Sequence, residues 1–153
     1  MIKRVIFVDE DNTGLSPLAA ALLRKKAISA GNSIRSASRG MVVLFPEPVN
    51  RKVADAALVY GIALNDHQAE KLTDADFSDD VLILAMDSVS KKRVFELHNG
   101  FSSIFTLKEY VGETGDLKLP IGEGSDKYEA VCETMDRLID HLMEKLKSEE
   151  IIE

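Results

Sequence analysis

The chain has 153 residues, 45% of them hydrophobic and 29% charged, a length that suits one domain burying roughly 68–70% of its unfolded surface. Its single Cys excludes an internal disulfide framework and a zinc site built on several thiolates. Nineteen basic against 26 acidic residues give a formal charge of −7, which disfavours a phosphate backbone and so nucleic acid as a main partner. No apolar run approaches the length of about eighteen residues that a membrane span needs. The short apolar run after Met1-Ile2-Lys3-Arg4 does not read as a signal peptide, so the expected setting is cytoplasmic.

Arg4 to Val8 is a β-branched apolar run that fits a strand buried on both faces. After a polar turn, Ser16 as N-cap, Pro17 at the first helical position and Gly31 past the end punctuate a helix. Ser33 to Ser38 reads as a second strand, and residues 39–50 as loop. Arg51 to Tyr60 is a helix stopped by Gly61, His67 to Lys71 is ambiguous, and Thr73 caps a short turn through Phe77. Val81 to Met86 is the cleanest buried strand, followed by a helix from Ser88 to His98 and a strand from Ser103 to Thr106. A long amphipathic helix runs from Ser125 to Lys147, with Cys132 on its apolar stripe. The basic clusters Arg24-Lys25-Lys26 and Lys91-Lys92-Arg93 are expected to be solvated helix faces.

Strands alternating with helices imply a parallel sheet covered on both faces, with a site beyond the strands' carboxyl ends. The loop after the first strand, Asp9-Glu10-Asp11-Asn12-Thr13-Gly14-Leu15-Ser16, falls there, as does Asp87. A short loop leading into a helix N-terminus is a cradle for anions, yet this one carries three carboxylates that would repel a phosphate. Backbone and side chains point in opposite directions.

The loop and its surroundings resemble the low-molecular-weight protein tyrosine phosphatases, a family that includes bacterial arginine phosphatases. The family's C-x-G-N-x-C-R-S-P loop and M-A-E-A-L-L-R helix correspond to D-E-D-N-T-G-L-S-P from Asp9 and L-A-A-A-L-L-R ending at Arg24. Ser36-Ala37 resembles the S-A-G strand end, and Tyr60-Gly61-Ile62 through His67-Gln68-Ala69 resembles Y-G-I-x-x-x-x-H-x-A-R. Leu72-Thr73 with Asp76-Phe77, and Leu82 through Asp87, continue the likeness. It implies a three-layer α/β/α sandwich over residues 1–153, with a four-stranded parallel sheet in the order 2-1-3-4.

The resemblance also implies that the catalytic groups are replaced. Asp9 stands at the position of the nucleophilic thiolate, Leu15 at that of the phosphate-clamping Arg, and Leu119 at that of the general acid in the D-P pair. Loss of a positioned acid alone removes about 10²–10⁴-fold in rate, and loss of the nucleophile closes the covalent route. The family's loop-shaping network maps onto Asn12, Ser16, Ser36 and His67, all of the family's residue type, and Thr13 matches a position where the arginine-phosphatase branch tends to carry Thr. The expectation is a phosphatase homologue acting as a binding or regulatory module, a monomer or homodimer with a protein partner not named by the sequence. No cofactor is required by that reading. Two alternatives stay open: a phosphatase using Asp9 and a divalent metal in place of the thiolate, and a cation site on Asp9, Asp11 and Asp87. The apolar segment Met41-Val42-Val43-Leu44-Phe45 reads equally as packing or as a partner surface.

Overall fold

A computed structural model describes residues 1–148; the last five residues of the expected domain lie outside the described residues. Strands β1 (Arg4–Asp9), β2 (Arg35–Gly40), β3 (Val81–Ala85) and β4 (Ile104–Thr106) form one parallel sheet in the order β2-β1-β3-β4. Helices α1 (Leu15–Ser29), α2 (Arg51–Ala57), α3 (Ser88–Leu97), α4 (Leu107–Tyr110) and α5 (Ser125–Ser148) connect and cover it. The sheet and its order are those expected from the sequence.

The core follows from strand periodicity. Side chains alternate across a strand, so Val5 and Phe7 of β1 face one layer while Ile6 and Val8 face the other. The first layer is the larger and gathers apolar residues of α1, α2 and α5, including the α5 stripe Tyr128, Cys132, Met135, Leu138, Ile139, Leu142 and Leu146. The second is closed by Val94 of α3 with Leu72, Ile104, Phe77 and Phe101. Every residue of β3 is buried, as the unbroken V-L-I-L-A run requires.

Several local boundaries differ from the sequence reading. Helix α1 begins at Leu15 after Gly14, so Ser16 is inside the first turn and is not the cap. Strand β2 starts at Arg35 and continues to Gly40; its polar sequence carries little strand signal because it pairs with a single full strand. Helix α2 ends at Ala57 and tightens into a 3₁₀ turn over Leu58–Tyr60, with Gly61 at φ +70° closing it. The short α4, absent from the sequence reading, is fixed by a reciprocal cap in which Thr106 and Glu109 exchange side-chain and backbone hydrogen bonds. The basic clusters are not merely solvated: Lys26 bridges α1 to Asp136 and Asp140 of α5 at 2.8 Å each, and Lys91 pairs with Glu109 at 2.8 Å.

With this order the chain leaves β1 toward β2 on one side and reaches β3 on the other. The crevice beyond the ends of β1 and β3 is therefore the switch point where such sheets bind ligands. Since Phe7 is fully buried in the central strand, Phe7→Ala is expected to cost about 3–5 kcal/mol in denaturant unfolding. Leu58→Ala, at an exposed position, is expected to change stability by less than about 0.5 kcal/mol.

Candidate functional site

The loop from Asp9 to Ser16 is held from outside by its carbonyls. Asp9 O accepts from Met41 N–H at 3.0 Å, Glu10 O from Val42 N–H at 2.8 Å and Thr13 O from Asn50 N–H at 2.6 Å. The His67 Nε2–H donates to Asn12 O at 2.6 Å, which fixes the ring tautomer, because a carbonyl only accepts. Gly40 makes the approach of β2 possible. A Cβ there would lie 2.9 Å from the Asp11 carbonyl carbon and 3.0 Å from Asn12 N, and backbone has no room to yield.

Asn12 organises the interior. It takes a left-handed conformation, φ +60°, the one non-glycine residue to do so among the described residues. That conformation is tolerated by Asn better than by other side chains. Its fully buried side chain donates to Ser16 Oγ at 2.9 Å and accepts from Glu70 N–H at 3.0 Å. Asn12, Ser16 and His67 thus meet on the loop, whereas Ser36 does not. The sheet register sets Ser36 opposite Val5 and Gly40 opposite Asp9, so Ser36 lies about 13 Å below the strand end at the usual rise per residue. Its hydroxyl donates instead to Ala20 O of α1 at 2.7 Å. Strand β2 ends at Gly40, and its buried serine is Ser38, opposite Phe7 of β1.

The three acidic residues go three ways. Asp9 is buried, and its two oxygens accept from Asn12 N–H at 2.8 Å and Ser16 N–H at 2.9 Å. Glu10 reaches Arg93 of α3 at 3.3 Å. Asp11 folds back on its own turn, accepting from Thr13 N–H at 3.2 Å and Thr13 Oγ1–H at 2.9 Å. Asp87 caps α3 by accepting from Ser90 N–H at 2.7 Å. Asp9, Asp11 and Asp87 therefore do not come together as a cation site. Among the described residues, no group of three or more His, Cys, Asp or Glu is placed to hold a metal ion.

Apolar side chains close the remaining side. Leu15 is 5% exposed and belongs to the main core. Leu119 packs so tightly on the loop that a Cβ on Gly14 would lie 2.4 Å from its Cδ1. Cys132, the chain's one thiol, is buried in α5, where desolvation pushes its pKa up to about 11.

Desolvation also dominates at Asp9 and raises its pKa to about 6, against hydrogen bonds from the Ser16 N–H, the Ser16 hydroxyl and the Asn12 N–H that lower it; the Asp11 charge adds to the rise. A carboxyl whose folded pKa lies above its unfolded value binds a proton more readily when folded. Stability is therefore gained as pH falls through about 6 and levels off below the unfolded value. The shift is worth at most about 3 kcal/mol. Urea midpoints measured between pH 7 and pH 4 are expected to show this gain in the wild type and to lose it in Asp9→Asn. A second expectation separates the two roles of Asn12: Asn12→Gly loses the side-chain bonds alone, and Asn12→Ala loses a further 1–2 kcal/mol or so for a left-handed Cβ. The same unfolding experiment resolves them.

The profile of the low molecular weight phosphotyrosine protein phosphatases matches residues 4–151. The chain is 31% identical to the protein-arginine-phosphatase of Bacillus subtilis over 147 residues, covering 95% of this chain and 97% of that protein. It is also 31% identical to the low molecular weight protein-tyrosine-phosphatase PtpB of Staphylococcus epidermidis over 139 residues, 91% of this chain and 96% of that protein. Among solved structures, the low molecular weight protein tyrosine phosphatase from T. tengcongensis superposes with a TM-score of 0.88 at 32% identity, covering 94% of this chain and 99% of the other. The chain belongs to the low molecular weight phosphotyrosine protein phosphatase family.

Proposed function

We propose that this member of the family does not hydrolyse phosphate monoesters and serves as a single-domain, cytoplasmic binding or regulatory module. The observation that carries the reading is that the loop already holds an anion of its own. The Asn12 and Ser16 N–H groups, which could face a ligand, are bonded to the Asp9 carboxylate. Asp9 stands where the family resemblance places the nucleophilic thiolate. A phosphate dianion entering the loop would meet this carboxylate at close range, and two unit charges about 4 Å apart near a protein surface repel by about 4 kcal/mol.

The other two assigned positions support the same reading. Leu15 replaces the clamping guanidinium and is turned into the core, while Leu119 replaces the general acid and lies against Gly14. Neither can donate a hydrogen bond or a proton. Asn12, Ser16 and His67 hold the loop together with Asp9, and none of these bonds involves the Leu15 or Leu119 side chain. The relatives named above are tyrosine and arginine phosphatases, so activity has to be tested directly.

Turnover of p-nitrophenyl phosphate and of a phosphoarginine peptide is expected to be indistinguishable from buffer, with or without Mg²⁺. A Mg²⁺-dependent rate that disappears in Asp9→Asn would overturn the proposal and install Asp9 as a metal-assisted nucleophile.

A further inference from the structure

We propose that a small pocket beside the acidic loop receives an arginine side chain from a basic segment of a partner protein, an inference that rests on the non-catalytic reading and gives it a partner class. The pocket has a volume of about 180 Å³ and is lined by Asp11, Val42, Val43, Leu44, Phe45 and Glu47. Sites for small molecules and cofactors begin near 300 Å³. This one has room for a single long side chain.

The pocket is built on anchored backbone. Val42 N–H donates to Glu10 O and Ala69 N–H to Glu47 O, both at 2.8 Å, and Asn50 N–H closes the far end on Thr13 O. On this held frame Leu44 is 88% exposed, Phe45 60% and Val42 43%. Three neighbouring apolar side chains turned to solvent on a fixed loop mark an interaction surface.

Charge selects the occupant. Glu10 and Glu70, acids near the same loop, are paired with Arg93 and Arg39. Asp11 and Glu47, which line the pocket, pair with no basic side chain among the described residues. The net charge of −7 adds a long-range field of the same sign. An incoming arginine lays its aliphatic stem along the apolar wall and its guanidinium plane on the Phe45 ring, with a carboxylate for its paired N–H donors. A lysine ammonium lacks both the plane and the fork. A phosphorylated side chain is repelled.

The test is an NMR titration of the ¹⁵N-labelled chain with a capped peptide carrying one arginine between two leucines, at low salt. Saturable shifts are expected at Asp11 and along residues 42–47, with at least about tenfold weaker binding when citrulline replaces the arginine. Phe45→Ala, at an exposed position, is expected to weaken binding about fivefold. Glu47→Gln, whose carboxylate makes no bond within the described residues, is expected to weaken it about threefold. Equal shifts from the citrulline or the lysine peptide, or no shifts at these residues up to millimolar peptide, would overturn the assignment. The outcome is separable from that of the phosphatase assay. Missing shifts without turnover remove the pocket alone, and turnover with saturable shifts removes the non-catalytic reading alone.

Discussion

The carboxylate of Asp9, bound by two N–H groups of the loop that follows it, is the interaction on which the rest of the site depends. A loop that turns backbone N–H groups together needs an anion to satisfy them. In this chain the anion is covalently part of the loop. Asp9 ends β1, so its position is set by the sheet. Asn12 and Ser16 close over it from the turn and from the first turn of α1. The loop is thereby complete without a ligand, and its left-handed Asn12 is held by bonds on both sides of its amide.

Burial and hydrogen bonding act on that carboxylate in opposite directions. Burying an ionised carboxylate is costly unless it is hydrogen-bonded, and the bonds from Asn12 and Ser16 offset part of that cost. Burial of the group outweighs those bonds, and the carboxyl pKa rises. A guanidinium at position 15 beside the same carboxylate would push the value the opposite way. The loop bonds its own carboxylate, while the surrounding fold is that of the family.

What the sequence made legible was whatever rests on long apolar runs and on single residues of fixed role. The V-L-I-L-A strand, buried on both faces, and the α5 stripe could hardly be read otherwise. So could the sheet order, once alternating elements and the family likeness were joined. The failures share a cause: positions defined by what lies across space. β2 is R-S-A-S-R-G, too polar for strand periodicity to mark its end at Gly40, so the sequence sets Ser36 near the loop whereas the register sets it opposite Val5. Gly40 held the missing signal, since a glycine is needed where two backbones come this close. Ser16 matched the composition of a cap, but its hydroxyl was required inside the turn by Asn12 and Asp9. The same holds for Asp87, whose place at a strand end resembled that of a ligand and whose carboxylate is spent on capping α3.

In one dimension Asp9-Glu10-Asp11 is a block of like charge, and a block invites a cation. In three dimensions consecutive residues at a strand end diverge, and each carboxylate acquires a different neighbour: backbone N–H groups for Asp9, Arg93 for Glu10, and the adjacent turn for Asp11. A metal ion needs several oxygens converging on one point, and divergence removes that geometry however acidic the sequence is. The same divergence leaves Asp11 on the wall of an apolar pocket, with Glu47 in the same lining and no basic residue paired to either among the described residues. Charge neutralised inside the site and charge left open at its rim are two results of one loop path. The loop turns two of its N–H groups inward on Asp9, and the charge left open at its rim is what the proposed basic partner would meet.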